Sequence, residues 1–359
     1  MVGSTGQPVI EFSFLHKRVN PNTKSDHRLV NDGCDSKNKG QTVKTKKVGA
    51  AESKAKFRTI ILAVIAVLII GGIAGVAIYI DRVAPFRTTV LVVGDRSINM
   101  RYFLKRVRIS GREPMALLQT LIREEIIKQV APKPPYNIDI SEEETDQFLK
   151  GIARGENDTI SDNDFKEWYR QQLNETRLSK AEFRDLARTN LLTLRLTEYL
   201  VEKVPTVAEQ IHLHMIPVQE FEVVNKIKER LDAGADFATL AREVSSDPKL
   251  KERGGDFGWF PRGALSPEIA RAAFDELDVN EASEPLYLDD RTFVVIMISE
   301  KTAAREIDDE PLQMIKGRAL DEWLKEENQY HKVEFHGFKN GYDSETDAWV
   351  QWQLQRMKR

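Results

Sequence analysis

The order of apolar and polar residues divides the chain into three stretches of different character. Residues 1–58 are rich in Lys, Asn, Ser and Gly and show no apolar periodicity, which is typical of a disordered segment. Residues 59–80 form an apolar run of 22 residues without a charge. Beyond residue 80, apolar residues recur at helical and strand spacing, which predicts a folded region.

The apolar run is long enough to cross a lipid bilayer. At about 1.5 Å per residue it makes a helix of roughly 33 Å, and the hydrocarbon core is about 30 Å thick. A signal peptide is the alternative, but its apolar region is roughly 7–15 residues long and lies nearer the start of a chain. Lys54, Lys56 and Arg58 precede the run, and the positive-inside tendency places residues 1–58 in the cytoplasm. We therefore predict a single-pass cell-membrane helix at residues 59–80, with the main domain outside the cytoplasm.

The folded region is helical at both ends and mixed in the middle. Amphipathic helices dominate residues 81–205, where Ser141 and Ser179 each open a capping box. Residues 206–302 read as a strand, helices, a glycine-rich strand, another helix and a closing strand, which predicts a small α/β domain. Helical periodicity returns in residues 303–359. The expected fold class is therefore α+β.

Charge is unevenly distributed, although the total of 53 Lys and Arg against 56 Asp and Glu gives a net charge of only −3. Residues 1–58 carry twelve basic and five acidic residues, about +7, which leaves about −10 for the remainder. The basic tail either contacts anionic lipid head groups or is solvated and only orients the helix. Nucleic acid is not an expected partner. The single cysteine, Cys34, excludes an intramolecular disulfide and a cysteine-based zinc site.

Four short motifs occur in order within residues 206–302. They are AGADFATLA from Ala233, SDP from Ser246, GGDFGWF from Gly254 and SEP from Ser283. Together they resemble the parvulin family of peptidyl-prolyl isomerases, in type and in spacing. The resemblance implies a parvulin domain that isomerises X–Pro peptide bonds and needs neither a metal nor another cofactor.

The flanking sequences resemble the SurA/PrsA-like foldases. The stretch VVGDRSI from Val92 and the helices that follow are similar to the start of their chaperone domain. The resemblance implies a SurA-N-like helical chaperone domain at residues 81–205, with residues 303–359 packing back on it as a C-terminal extension. It also implies a membrane-anchored extracytoplasmic foldase whose partners are unfolded or proline-containing exported polypeptides.

The resemblance further implies a site with two histidines, an Asp or Cys, and an apolar pocket for proline. Here the two histidine positions hold Met215 and Phe293, while His214 and Asp247 lie next to or near the polar positions. We therefore expect His214 and Asp247 to be catalytic. The expected substrate-binding residues are Met215, Phe260, Leu265, Ile269 and Phe293.

Because the polar positions are so altered, weak isomerase activity is the first expectation. A non-catalytic, peptide-binding chaperone is the alternative, and a scaffold that uses the basic tail is a third. His212 and His214 share one face of a strand. They are a surface or hydrogen-bonded pair, a polar remnant of the site, or metal ligands. Trp259 is either rim packing or a substrate platform. Gly71 and Gly75 have the spacing of a helix-pairing motif, so a homodimer and a chance occurrence of that spacing are the two alternatives.

Overall fold

A computed structural model describes residues 50–289 and 291–358. Cys34 and most of the predicted tail at residues 1–58 lie outside these ranges. The described helices are α1 Ala50–Arg82, α2 Ala84–Arg87, α3 Met100–Ser110, α4 Pro114–Val130, α5 Glu142–Arg154, α6 Asp162–Thr176, α7 Lys180–Glu202, α8 Phe221–Asp232, α9 Phe237–Val244, α10 Pro248–Glu252, α11 Pro267–Arg271, α12 Asp309–Glu327 and α13 Ser344–Lys358.

Within residues 50–289 and 291–358, seven strands form two small antiparallel sheets. The strands are β1 Thr89–Val93, β2 Arg96–Asn99, β3 Val207–Val218, β4 Asp256–Pro261, β5 Leu286–Asp289, β6 Thr292–Glu306 and β7 Val333–Phe335. One sheet has the order β2-β1-β7, and the other has the order β4-β3-β6-β5. Helices together with two short sheets confirm the mixed α+β class.

Contacts within the described chain define two compact units. The sheet unit comprises Ile126–Thr145 and Ala187–His331 and contains the four-stranded sheet. The helical unit comprises residues 50–125, Asp146–Leu186 and residues 332–358, and contains the three-stranded sheet. The boundaries predicted after residues 205 and 302 remain predictions.

In the helical unit, the small sheet connects a strand from the start of the unit's sequence with a strand near its end. Strand β1 buries Val90, Leu91 and Val93 in the core and pairs with β7 near the end of the chain. Asn99 closes β2 and caps α3, because its side-chain oxygen accepts a 3.0 Å hydrogen bond from the amide of Tyr102.

Helix α1 is long and mostly apolar, and its described large apolar side chains from Val64 to Ile80 are exposed. Across residues 50–289 and 291–358, however, no helix combines the length and the apolar character needed to span a bilayer. The transmembrane helix predicted at residues 59–80 is therefore not confirmed.

Candidate functional site

Strand β3 separates its side chains onto the two faces of the four-stranded sheet. Alternate residues of a strand point to opposite faces, so Leu213 and Met215 lie on one face while His214 and Ile216 lie on the other. The first face carries the larger apolar cluster, and the second packs against helices α8 and α9. The candidate site lies on the first face.

The apolar residues on this face form what we call the pocket cluster. Its buried members are Ile211, Leu213, Met215, Leu250, Phe260, Ala264, Leu265, Ile269, Ala270, Ala272, Ala273, Leu277, Val294, Ile296 and Ile298. It brings together four of the five predicted substrate-binding residues, Met215, Phe260, Leu265 and Ile269, whose exposure lies between 2% and 9%. The fifth, Phe293, packs on the cluster of the opposite face, beside Phe221 and Tyr287.

Short polar contacts fix the turn that carries these side chains. A 3-10 turn at Arg262–Ala264 follows β4, and the Arg262 guanidinium makes two hydrogen bonds, of 2.9 and 2.5 Å, with the carboxylate of Asp275. Ser266 then caps α11 by accepting a hydrogen bond from the amide of Ile269. These contacts point Leu265 and Ile269 into the same cluster from adjacent elements.

The glycine-rich loop closes directly against Met215. The Met215 amide donates a 2.8 Å hydrogen bond to the carbonyl of Gly255, and the Gly255 amide donates one of 2.7 Å to the carbonyl of Leu250. Gly255 has a φ of +83°, a conformation that favours glycine. After this turn, Phe257 stacks on Phe260 with ring centroids 4.5 Å apart.

The two histidines of β3 lie on the other face and bond to other polar side chains. The Nε2 atom of His212 lies 2.9 Å from Oδ1 of Asp256, and Nε2 of His214 lies 3.0 Å from Oγ of Ser299. Burial, followed by the charge of His212, lowers the pKa of His214, although Asp256 opposes the shift. Each of the two histidines thus has a polar side chain as its hydrogen-bond partner. His214 does not lie with Met215 and Leu265, and its catalytic role stays a prediction.

Trp259 packs against these polar side chains. Its ring stacks on His212 at 5.2 Å with an interplanar angle of 12°, and the guanidinium of Arg305 lies over it at 5.1 Å. This arrangement favours rim packing over a substrate platform. Asp256, Ser299 and Arg305 were not among the candidates, although strand alternation places Ser299 on the histidine face of β6.

Asp247 has a structural task in the described fold. Its Oδ1 accepts hydrogen bonds of 2.8 and 3.0 Å from the amides of Lys249 and Leu250, which caps α10. It belongs to neither apolar cluster, and its catalytic role also stays a prediction. Among residues 50–289 and 291–358, no group of three or more His, Cys, Asp or Glu side chains is placed to hold a metal ion.

Comparison with known families identifies the class of the sheet unit's central segment. Residues 221–300 match the family described as "Rotamase: PPIC-type PPIASE domain". The chain therefore carries a peptidyl-prolyl isomerase domain of the parvulin type, and the resemblance inferred from its motifs is confirmed.

Particular relatives extend the similarity beyond this domain. The chain is 27% identical over 228 residues to the foldase protein PrsA of Halalkalibacterium halodurans, a match that covers 59% of this chain and 66% of that protein. It is 43% identical over 91 residues to the chaperone SurA of Methylobacillus flagellatus, covering 23% of this chain and 20% of that one. The chain thus spans less than two thirds of the length of these curated relatives.

One solved structure matches over much of the chain. The peptidyl-prolyl isomerase PrsA from Bacillus anthracis is 20% identical and covers 67% of this chain and 97% of its own, with a TM-score of 0.35. That TM-score is too low to establish a shared overall fold.

Proposed function

We propose that the protein is an extracytoplasmic foldase that binds unfolded exported polypeptides and isomerises X–Pro bonds with low activity. The observation that carries this proposal is the pocket cluster, where Met215, Phe260, Leu265 and Ile269 of the parvulin-type domain meet on one sheet face. The foldase and chaperone relatives support the same conclusion.

An apolar pocket suits this reaction because the chemistry needs no nucleophile. Amide resonance gives the peptide bond a rotation barrier of about 18–20 kcal/mol. A site lowers that barrier when it holds the proline ring and binds the twisted amide better than the planar one. Removal of water from the carbonyl group contributes further, because the twisted amide has less charge separation than the planar amide.

Low activity is expected because the polar side chains lie elsewhere. Met215 offers no hydrogen-bond donor to a twisted amide, and His214 bonds Ser299 on the other face of the sheet. The same observation favours a second candidate, a non-catalytic chaperone whose pocket binds apolar segments. We therefore expect the same pocket to bind apolar segments and to isomerise X–Pro bonds. Isomerisation is expected to be the weaker of these two activities.

Replacement of Leu265 by Asp tests whether the pocket cluster is the site. A carboxylate in an apolar pocket disfavours binding of a proline ring, so we expect the isomerisation rate constant kcat/KM to fall roughly tenfold or more. The measurement is isomerisation of a proline tetrapeptide, together with suppression of aggregation of an unfolded client.

Val223→Asp is the matched control, because Val223 is half-buried on helix α8 at the opposite face. Equal activity in the two variants would argue against this site. A wild-type isomerisation rate equal to the uncatalysed rate, with aggregation still suppressed, would replace the enzyme by the non-catalytic chaperone.

We infer further that helix α1 attaches the protein to a membrane, with residues 1–58 on the cytoplasmic side. The support is a set of large apolar side chains that are exposed to solvent, which are Val64, Ile65, Val67, Leu68, Ile69, Ile70, Ile73, Val76, Ile78, Tyr79 and Ile80. An apolar surface of this extent is typical of a membrane or partner contact.

Flotation of the full chain with phospholipid vesicles tests this attachment. We expect the double variant Leu68→Arg with Ile73→Arg to lose most of the floating fraction, because charged side chains are costly in the bilayer interior. The matched control is Val207→Arg with Val279→Arg, two exposed apolar positions in the sheet unit. If all three proteins float equally, α1 is not the attachment.

A further inference from the structure

Helix α12 lies against the pocket cluster within the sheet unit. It begins at Asp309, directly after strand β6, and the intervening Ile307 is tied down because its amide donates a 2.8 Å hydrogen bond to the carbonyl of Thr206. Its side chains Met314 and Ile315 pack on the buried residues of the pocket cluster. The helix that follows the parvulin-type segment thus covers the surface that the proposed function assigns to proline.

The contact between α12 and the pocket turn is close. A Cβ atom placed on Gly263 would lie 3.7, 3.9 and 4.0 Å from three side-chain carbons of Ile315, which is ordinary van der Waals contact. Ile315 therefore fills the space directly in front of the turn between Phe260 and Leu265.

A polar contact holds α12 in the same place. Nη1 of Arg318 donates to the carbonyl oxygens of Ala264 and Leu265, each at 3.3 Å. An extended peptide entering this turn would compete for the same backbone carbonyls and the same apolar surface. The helix occupies both kinds of contact at once.

The C-terminal end of α12 is anchored within the sheet unit. Near its C-terminal end, Trp323 is buried and its Nε1 donates a 2.6 Å hydrogen bond to the hydroxyl of Tyr136. Between Ile315 and that anchor lies Gly317, which has open space around it and so is not required by packing. Glycine weakens a helix interior relative to alanine, so Gly317 destabilises the turn that carries both Ile315 and Arg318.

We propose that the N-terminal half of α12 acts as an internal ligand of the apolar pocket, and that a proline-containing client binds only when this half moves away. This proposal rests on the proposed function, because it names what competes at that same site. The client class is an extended apolar segment that can replace the contacts of Ile315 and Arg318.

A reversible crosslink tests the proposal on the full chain. In a Cys34→Ser background, Gly263→Cys with Ile315→Cys places two thiols on segments that are in van der Waals contact, and loss of free thiol on oxidation verifies the disulfide. The probe is a fluorescently labelled Ala-Leu-Pro-Phe peptide, and its affinity is measured before and after reduction. We expect the oxidised protein to bind at least tenfold more weakly than the same sample after reduction, and equal affinity would overturn the proposal.

Two further variants are expected to change the affinity for the peptide in opposite directions. A merely structural role of α12 would not produce this difference. Gly317→Ala strengthens the helix and should weaken peptide binding, roughly fivefold for the ~1 kcal/mol by which alanine exceeds glycine. Arg318→Ala removes the contact to the pocket carbonyls and should tighten binding several-fold. Changes of the same sign in both variants would contradict the proposal.

Hydrogen exchange of residues 312–320 separates failure of the proposal from failure of the proposed function. If Arg318→Ala speeds exchange there and peptide binds equally well to wild type and variant, α12 is not a competitor and the pocket still functions. If exchange is faster but neither protein binds the peptide, the pocket is not the binding site and both ideas are wrong.

Discussion

Replacement of Glu124 by Ala will lower the free energy of opening of helix α3 by about 3–5 kcal/mol. The carboxylate of Glu124 receives two hydrogen bonds, of 2.9 and 2.8 Å, from the guanidinium of Arg106, whose side chain is 0% exposed. The remaining nearby contacts of Arg106 include the hydroxyl and ring of Tyr102. Without Glu124, the buried guanidinium of Arg106 loses its bidentate carboxylate partner. Native-state hydrogen exchange of the α3 amides measures the loss within this unit alone.

Two comparison variants separate the buried charge from the loss of packing. Arg106→Met with Glu124→Leu removes both charges, and we expect its opening free energy to lie within about 2 kcal/mol of wild type, because apolar replacements of a buried pair are often neutral. Glu167→Ala breaks an exposed pair with Arg170 in the same unit and should leave exchange unchanged. A Glu124→Ala protein with wild-type exchange would show that the pair contributes no net stability.

The buried ion pair also shows where sequence analysis stops. Arg106 and Glu124 are 18 residues apart, on α3 and α4, and in the sequence each is one charged residue among many. Helical periodicity predicted both helices, but it does not specify which charged side chain faces a neighbouring helix. Burial of a charge depends on how two helices pack, and that information is tertiary.

The pocket cluster was more accessible to sequence analysis than the polar residues were. Motif spacing identified Met215, Phe260, Leu265 and Ile269, and these four do meet on one face. Strand alternation already placed His214 on the face opposite Met215, and the structure has it there, bonded to Ser299. Phe293 was assigned to the pocket from spacing alone, and in the structure it packs on the other cluster, one residue out of phase with Val294.

The cover provided by α12 could not be predicted from spacing or periodicity. The sequence predicts helical structure in residues 303–359, and the structure has a helix there at Asp309–Glu327. Apolar residues such as Met314 and Ile315 show that the helix has a buried face, but not which surface it covers. Tertiary packing alone specifies that surface, where Arg318 donates hydrogen bonds to the carbonyls of Ala264 and Leu265.

Replacement of Gly255 by Ala is expected to destabilise the sheet unit by about 2–5 kcal/mol, through two effects that add. A left-handed backbone costs an L-residue about 1–2 kcal/mol, and overpacking costs about 1–3 kcal/mol more. An added Cβ would lie 3.0 Å from the carbonyl oxygen of Met215, 3.0 Å from a ring carbon of Phe237 and 3.1 Å from the Cβ of Ala241. None of these atoms moves freely, because one is backbone and the others lie in a buried cluster.

Gly234→Ala isolates the contact effect, because Gly234 has nearly the same φ, +87°, and nothing within 4 Å of an added Cβ. We expect this control to cost only the backbone share, about 1–2 kcal/mol. Hydrogen exchange of the β3 amides measures the loss of stability of the sheet unit in both variants. Since the Gly255 loop bonds the backbone of Met215, the Gly255→Ala protein should also bind a proline peptide less tightly, whereas Gly234→Ala should not. Equal destabilisation of the two would mean that the loop yields to the added methyl group, and the close packing behind Met215 would then not be rigid.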